Sequence, residues 1–441
     1  MDTLPLPPRP NLAQYRKRAK DLAKAAASTD GDAVRAWAEE WLETLARLRG
    51  TSTSPFVQGS FDRAIERIEQ RVRERSAGGR FTLADAQFLV ARAHSFASWS
   101  DFARHVERLS REDGDGDPFE SGADAVVTGD LASLESLLRA HPDLVRARSD
   151  REHRATLLHY VAANGVEDFR QLTPPNAVGI AKSLLEAGAE VDALANTYGG
   201  GKAQTTMNLL VSSVHPANAR LQPALVETLL DFGAAIGGLE DDGSPLMTAL
   251  AFGYVEAAET LVRRGARIDN VLAAAALGRV DLVRDLVAEG GAVAPSLVNL
   301  YWLRLSSDPK SHVERAFVWA CAFGRTKVVE LLLEQGVDPA ATDDDGMTGL
   351  HWAAGRGHLE VVRLLTERGA PLEARNRWGG TVLDSTVYFA VHDSAGPSRT
   401  AAAMELLIAA GADVRAATYP TGNGPVDELL ERHGARPSES A

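Results

Sequence analysis

The stretch closest to a phosphate-cradling loop is Asn196-Thr197-Tyr198-Gly199-Gly200-Gly201-Lys202-Ala203. Its first Gly is not at the required distance, and Ala203 stands where a metal-binding Ser or Thr belongs, so a flexible connection is expected. Asp343-Asp344-Asp345 puts three carboxylates in a row before Gly346, without the ligand spacing of a calcium loop. Cys321, the single cysteine, falls at a small-residue position of a helix with no partner His or basic cluster, so packing rather than nucleophilic attack is expected. His94 and His105 lack the Cys or carboxylate neighbours of a zinc site. His159 and His351 remain as candidates for acid–base work. No paired carboxylates, Ser-His-Asp set or zinc constellation stands out, so no catalytic residue, cofactor or metal is expected, and the chain does not read as an enzyme.

The elements around these residues say more. From Asp343 to Asn376, Asp345-Gly346 is a turn dipeptide and Thr348 is an N-cap candidate for a first helix. Ala353 and Ala354 leave room for a close neighbour, and Gly357 can take the left-handed conformation past a helix end. Leu359, Val361, Val362, Leu364 and Leu365 form the apolar face of a second helix, which Gly369 stops. The stretch resembles an ankyrin repeat: a turn, a T-P-L-H-x-A opening and two helices in about 33 residues. Gly349 replaces the proline here. The resemblance implies that His159 and His351 bond to neighbouring backbone or Thr and tie adjacent units together.

Similar units run through residues 119–436. The stops of their second helices fall at Gly188, Gly233, Gly265, Gly290, Gly336, Gly369 and Gly411, spaced 45, 32, 25, 46, 33 and 42 residues apart. One short unit and three with insertions are needed, and such insertions map to loops that often carry specificity. The second unit opens at Thr156-Leu157-Leu158-His159 and holds an insertion around Pro174-Pro175. Others lie near His215-Pro216, across residues 293–311 and around residues 392–398. The segment from Gly424 to Leu430 looks like a terminal cap.

The expected fold class is therefore all-α: an ankyrin-repeat solenoid of about eight helix-turn-helix units plus a cap, preceded by a small helical bundle. The bundle occupies residues 1–110, with helices after Asn11, from Asp30 to Leu48 and through Phe61, Ile65, Ile68 and Val72. Thr82-x-x-Asp85 and Ser98-x-x-Asp101 read as capping boxes, and the link between them resembles an aromatic-Ala-Ser-Trp turn of helical modules in bacterial proteins, which implies that Trp99 packs under the preceding helix. Residues 111–118, rich in Asp and Gly, read as a linker, and residues 437–441 as a disordered tail. The wider arrangement looks like a group of bacterial ankyrin proteins, a likeness that implies no defined activity.

Composition sets the outer bounds. At 441 residues, 45% hydrophobic and 24% charged, the chain reads as folded and multi-domain or repetitive. No secretory signal or long apolar run is visible, and a cytoplasmic location and a monomer are expected. The net charge of −13 divides into about +4 over residues 1–110 and about −17 over the rest. An acidic array is a poor match for nucleic acid, which is not expected as a partner.

Aligning the units on the stop glycine of the first helix exposes a set of aromatic and charged positions. Tyr160, Trp319 and Trp352 follow the structural His position, and Phe252, Phe323 and Arg356 precede the stop. Asp344, Asp345, Met347, Arg377 and Trp378 stand at or near turn tips. These residues are expected to bind an unidentified protein, one with a basic segment to suit acidic tips. For Trp319 and Phe323 the alternative is that they fill gaps beside a long insertion. Two other functions stay open: a regulator whose basic N-terminal module contacts nucleic acid, and an enzyme with an interdomain pocket.

Overall fold

A computed structural model describes residues 3–7, 9–49, 55–110, 117–197, 203–293, 297, 305–392 and 397–436. The triple glycine and Lys202, residues 294–296 and 298–304 of the 293–311 insertion, residues 393–396 of the 392–398 insertion, linker residues 111–116 and the tail at 437–441 lie outside this set. Among the described residues every regular element is a helix, with two isolated bridges, Ala195 to Gln204 and Thr342 to Thr348. The chain divides into two compact units, Met1–Ala235 and Ile236–Ala441.

The first unit opens with five helices: α1 (Leu12–Ala26), α2 (Ala33–Arg49), α3 (Pro55–Ser76), α4 (Leu83–Ala93) and α5 (Trp99–Leu109). Asn11 caps α1 by accepting from the Ala13 N–H at 2.8 Å, and Thr82 and Asp85 close a reciprocal capping box on α4. At α5 the Ser98 hydroxyl accepts from the Asp101 N–H at 3.1 Å. The helices share one core, built on Leu22, Trp41, Leu42, Phe96 and Phe102. Trp99 is only half-buried, leaning on Phe102 at 5.5 Å between centroids; the wholly buried aromatic of that turn is Phe96.

Three helix pairs follow: α6 (Pro118–Thr128) with α7 (Leu131–Ala140), α8 (Leu157–Val161) with α9 (Ala177–Glu186), and α10 (Thr206–Leu210) with α12 (Gln222–Asp231), α11 (Val214–Asn218) lying between the last two. Asp117 and Pro118 start α6, and Gly129, at φ 80°, ends it in the left-handed conformation.

Among the described residues, the second unit holds five pairs of α-helices and a final helix. They are α13 (Ser244–Ala251) and α14 (Val255–Arg263), α15 (Val271–Ala276) and α16 (Val280–Ala288), α17 (Pro309–Ala322) and α18 (Thr326–Glu334), α19 (Gly349–Gly355) and α20 (Leu359–Glu367), and α21 (Val382–His392) and α22 (Pro397–Ala409). Helix α23 (Gly424–Arg432) follows. Three of the first helices, α13, α15 and α19, are short and rich in small residues. All six positions of α15, Val-Leu-Ala-Ala-Ala-Ala, are fully buried, which lets α17 pack directly against it. No helix among the described residues is long and apolar enough to cross a membrane.

Candidate functional site

The turn–helix opening of the repeat explains its histidines. His351 Nδ1 accepts from the Thr348 N–H at 3.1 Å and lies 2.8 Å from the Thr348 hydroxyl. His159 does the same with Thr156, which leaves its Nε2–H to donate to the Ala193 carbonyl at 3.0 Å, in the next turn. Burial lowers both histidines, His159 to about 4, so both rings are neutral at neutral pH; His159 reaches the next turn, whereas His351 bonds to Thr348 of its own turn. Cys321 is fully buried and burial pushes its thiol up, away from the reactive thiolate. His94 is enclosed by Tyr15, Trp41 and Phe102, and its Nδ1 bonds to the Leu4 carbonyl at 2.7 Å. Among the described residues no group of three or more His, Cys, Asp and Glu could hold a metal ion.

Five of the expected partner residues gather in the second unit, at the ends of its first helices. Phe252 follows α13, Phe323 follows α17 and Arg356 follows α19, while Trp319 and Trp352 lie one turn earlier on the last two. The Arg356 guanidinium is the hub. It stands 5.4 Å from the Phe323 ring centroid and 5.0 Å from that of Trp352. Its Nη1 donates to the Ala322 carbonyl at 3.1 Å, one of the last of α17, where a cation also meets the negative helix end. A Cβ placed on Gly253 would come 3.4 Å from its Nη2. Trp319 and Phe323 pack edge to face at 6.4 Å, and Trp352 meets Phe389 of α21 at 5.9 Å. Phe389 in turn touches Tyr388, whose ring lies tilted against His392 at 4.4 Å. Arg325 repeats the device one pair earlier, donating from Nε to the Ala276 carbonyl at 2.8 Å.

The row is partly open to solvent. Trp319, Phe323, Trp352 and Arg356 are half-buried, whereas Phe252 is 48% exposed and Tyr388 62%. Trp378 is more open still, at 70%, on a tip where Arg377 lies 5.6 Å over its ring. Tyr388 and Phe389 escaped the sequence reading because α21 has no stop glycine on which to align them.

Two expected contacts are not on the surface. Tyr160 is wholly buried in the first unit, its hydroxyl donating to Glu167 at 3.3 Å, and Met347 is 4% exposed beneath its turn. The position expected to match that of Trp352 thus holds a core residue in the first unit, because Glu167 and Arg170 of the connection between α8 and α9 fold over Tyr160. The tip aspartates are also committed. Asp344 pairs with Arg315 at 2.7 Å and Asp345 with Arg377 at 2.8 Å. Asp343 accepts from Trp352 Nε1 at 2.8 Å, which orients the indole. Two of the three tip charges are therefore neutralised by arginines, while the Asp343 carboxylate is held by neutral N–H donors.

The junction between α5 and α6, where an interdomain pocket would lie, is filled with side chains. Glu120, Arg151, Glu167 and Arg170 interlock there, with His105 and His153 at the edges.

The family described as Ankyrin repeats (many copies) matches residues 317–366 and 350–392, the segment from α17 to α21. This part of the chain carries ankyrin repeats, which are generally protein–protein interaction modules and typically non-enzymatic. No curated protein matches the chain.

Proposed function

We propose that the second unit binds a protein partner on the side lined by the ends of its first helices. The observation that carries this reading is the continuous row Trp319–Phe323–Arg356–Trp352–Phe389–Tyr388, half-open to solvent and flanked by Phe252 and Trp378. Aromatic rings held by an arginine offer large, rigid contact area at little entropic cost, the composition that interface hot spots favour. The paired state of Asp344 and Asp345 shifts the chemistry expected of the partner. A basic segment would have to displace Arg315 and Arg377, whereas apolar or aromatic anchors can stack on Tyr388, Trp378 and Phe252 directly.

Photo-crosslinking on the full chain tests this. A crosslinking residue at Tyr388 or Trp378 is expected to trap one discrete partner, and Tyr388→Ala with Trp378→Ala is expected to abolish its capture. The same label at Leu282, an exposed residue of second helix α16, is expected to trap nothing. Equal trapping from Leu282, or capture that survives the double substitution, would overturn the assignment.

A further inference from the structure

The charge network that follows the helical bundle in the first unit has no place in partner binding, yet it buries two arginines and two glutamates together. Arg151 donates to both oxygens of Glu120, with Nη2 to Oε2 at 3.1 Å, and its Nε lies 2.9 Å from Glu167 Oε1. Arg170 Nη1 donates to Glu120 Oε2 at 2.8 Å and to Glu167 Oε1 at 3.3 Å, and its Nε donates to Asp124 at 2.8 Å. Side-chain exposure is 3% for Arg151, 6% for Arg170, 12% for Glu120 and 0% for Glu167. Removing so many charges from water costs several kcal/mol per ion, and only a closed, fully paired arrangement offsets it.

The helical bundle provides the lid that keeps this arrangement closed. The Arg151 guanidinium lies 5.6 Å over the ring of Phe96, which belongs to the turn between α4 and α5. In the same turn Ser95, at φ 63°, offers its carbonyl to the Glu152 N–H at 2.8 Å. Arg92 pairs with Glu152 at the rim. From α5, His105 Nε2 is 3.8 Å from Glu120 and Nδ1 is 3.5 Å from Asp150, while Arg108 Nε donates to Asp117, the N-cap of α6, at 2.7 Å. The N-terminal segment closes the other side: the Thr3 N–H donates to Asp168 at 3.1 Å, and the Leu4 N–H to the Ala93 carbonyl at 2.7 Å.

Helix α6 adds an independent observation. It begins the repeats and so has no preceding repeat to cover it, yet Phe119, Gly122, Ala123, Ala125, Val126 and Val127 are all buried. An end repeat with so apolar a helix needs a cap with a polar outer face.

We infer that the helical bundle is the N-terminal cap of the first unit's repeats, latched to them by this ion network, so that bundle and repeats open together. Two tests follow on the full chain, read by native-state hydrogen exchange. Arg151→Ala, made on the repeat side, is expected to lower protection of α4 and α5 in the bundle at least tenfold, along with that of α6 and α8. Arg108→Ala, made on the bundle side at a residue 42% exposed and so compatible with folding, is expected to raise exchange in Ser149–Arg154 severalfold. Coupling is reciprocal, so both effects must cross the junction. Changes confined to the mutated side in either variant would show two independent bodies and overturn the inference.

Discussion

Gly349 lies directly against Cys321: a Cβ on the glycine would stand 2.6 Å from the cysteine Sγ and 3.1 Å from its Cβ. The two residues open α19 and nearly close α17, so the space between these helices is set by a missing side chain on one and a sulfur on the other. The sequence alone showed Gly349 as a departure from the Thr-Pro-Leu-His opening. The structure shows a compensating pair.

That pairing predicts a double-mutant cycle. Gly349→Pro is expected to destabilise the second unit by about 1–3 kcal/mol through overpacking, despite restoring the more usual repeat residue. Cys321→Ala with Gly349→Pro is expected to recover most of that loss, giving clear non-additivity in urea-unfolding midpoints. Strictly additive effects would mean that the two side chains do not compete for this space.

Arg356 and Trp378 are expected to separate stability from binding. Arg356→Ala removes the bond to the Ala322 carbonyl and two ring contacts, and is expected to lower stability by about 1–3 kcal/mol. Arg356→Lys is not expected to restore it, since an ammonium group cannot stack and donate in the same plane. Trp378→Ala, at a 70% exposed position, is expected to stay within about 0.5 kcal/mol of the parent. Thermal denaturation of the three variants decides the matter.

Acid is expected to act in two windows. His159 is lowered by burial to about 4 in the native chain, against an unfolded value of 6.5. Between those values the unfolded chain binds the extra proton, so stability falls as pH drops from about 6.5 towards 4, by about 3 kcal/mol for this group. Burial pushes Glu120 up, but Arg151 and Arg170 overcome it and hold the carboxyl at about 2. Its contribution is present above the unfolded value of 4.5 and is lost as pH falls from there towards 2. Melting temperatures measured from pH 7 to pH 2.5 should decline in both windows. Arg151→Ala should shrink the lower window and leave the upper one in place.

Gly355 offers a check on the aromatic row. A Cβ there would come 2.3 Å from Cδ2 of Phe389, so Gly355→Ala is expected to push the ring outward and disturb its contact with Trp352. Tryptophan fluorescence should shift in Gly355→Ala and shift less when Phe389→Ala is added.

The helices were legible in the sequence wherever an apolar period coincided with a cap, as at Asn11, Thr82 and Thr348, or with a stop glycine, as at Gly369. The grouping of Phe252, Trp319, Phe323, Trp352 and Arg356 was legible for the same reason, since equivalent positions of stacked pairs must approach one another. Tyr388 and Phe389 were hidden because α21 lacks the stop glycine that fixes the register. Tyr160 was misplaced because an insertion acts at long range: nothing local to Thr156–Val161 announces that Glu167 and Arg170 fold back over it. Charge pairing across tips was equally invisible, since Asp344 and Arg315 are far apart in the chain and meet only once the pairs are stacked.

Asp345 and Arg377 have one more consequence. They are joined twice, by the side-chain pair and by the Arg377 N–H donating to the Asp345 carbonyl at 2.8 Å. Neighbouring tips are thus spliced to each other as well as to their own helices. The interval between Trp352 and Trp378 behaves as the pitch of a thread, fixed by the backbone and insensitive to which side chains occupy it. A partner that fits would have to carry its anchors at that interval, and lengthening either turn by one residue would put its whole set of contacts out of step.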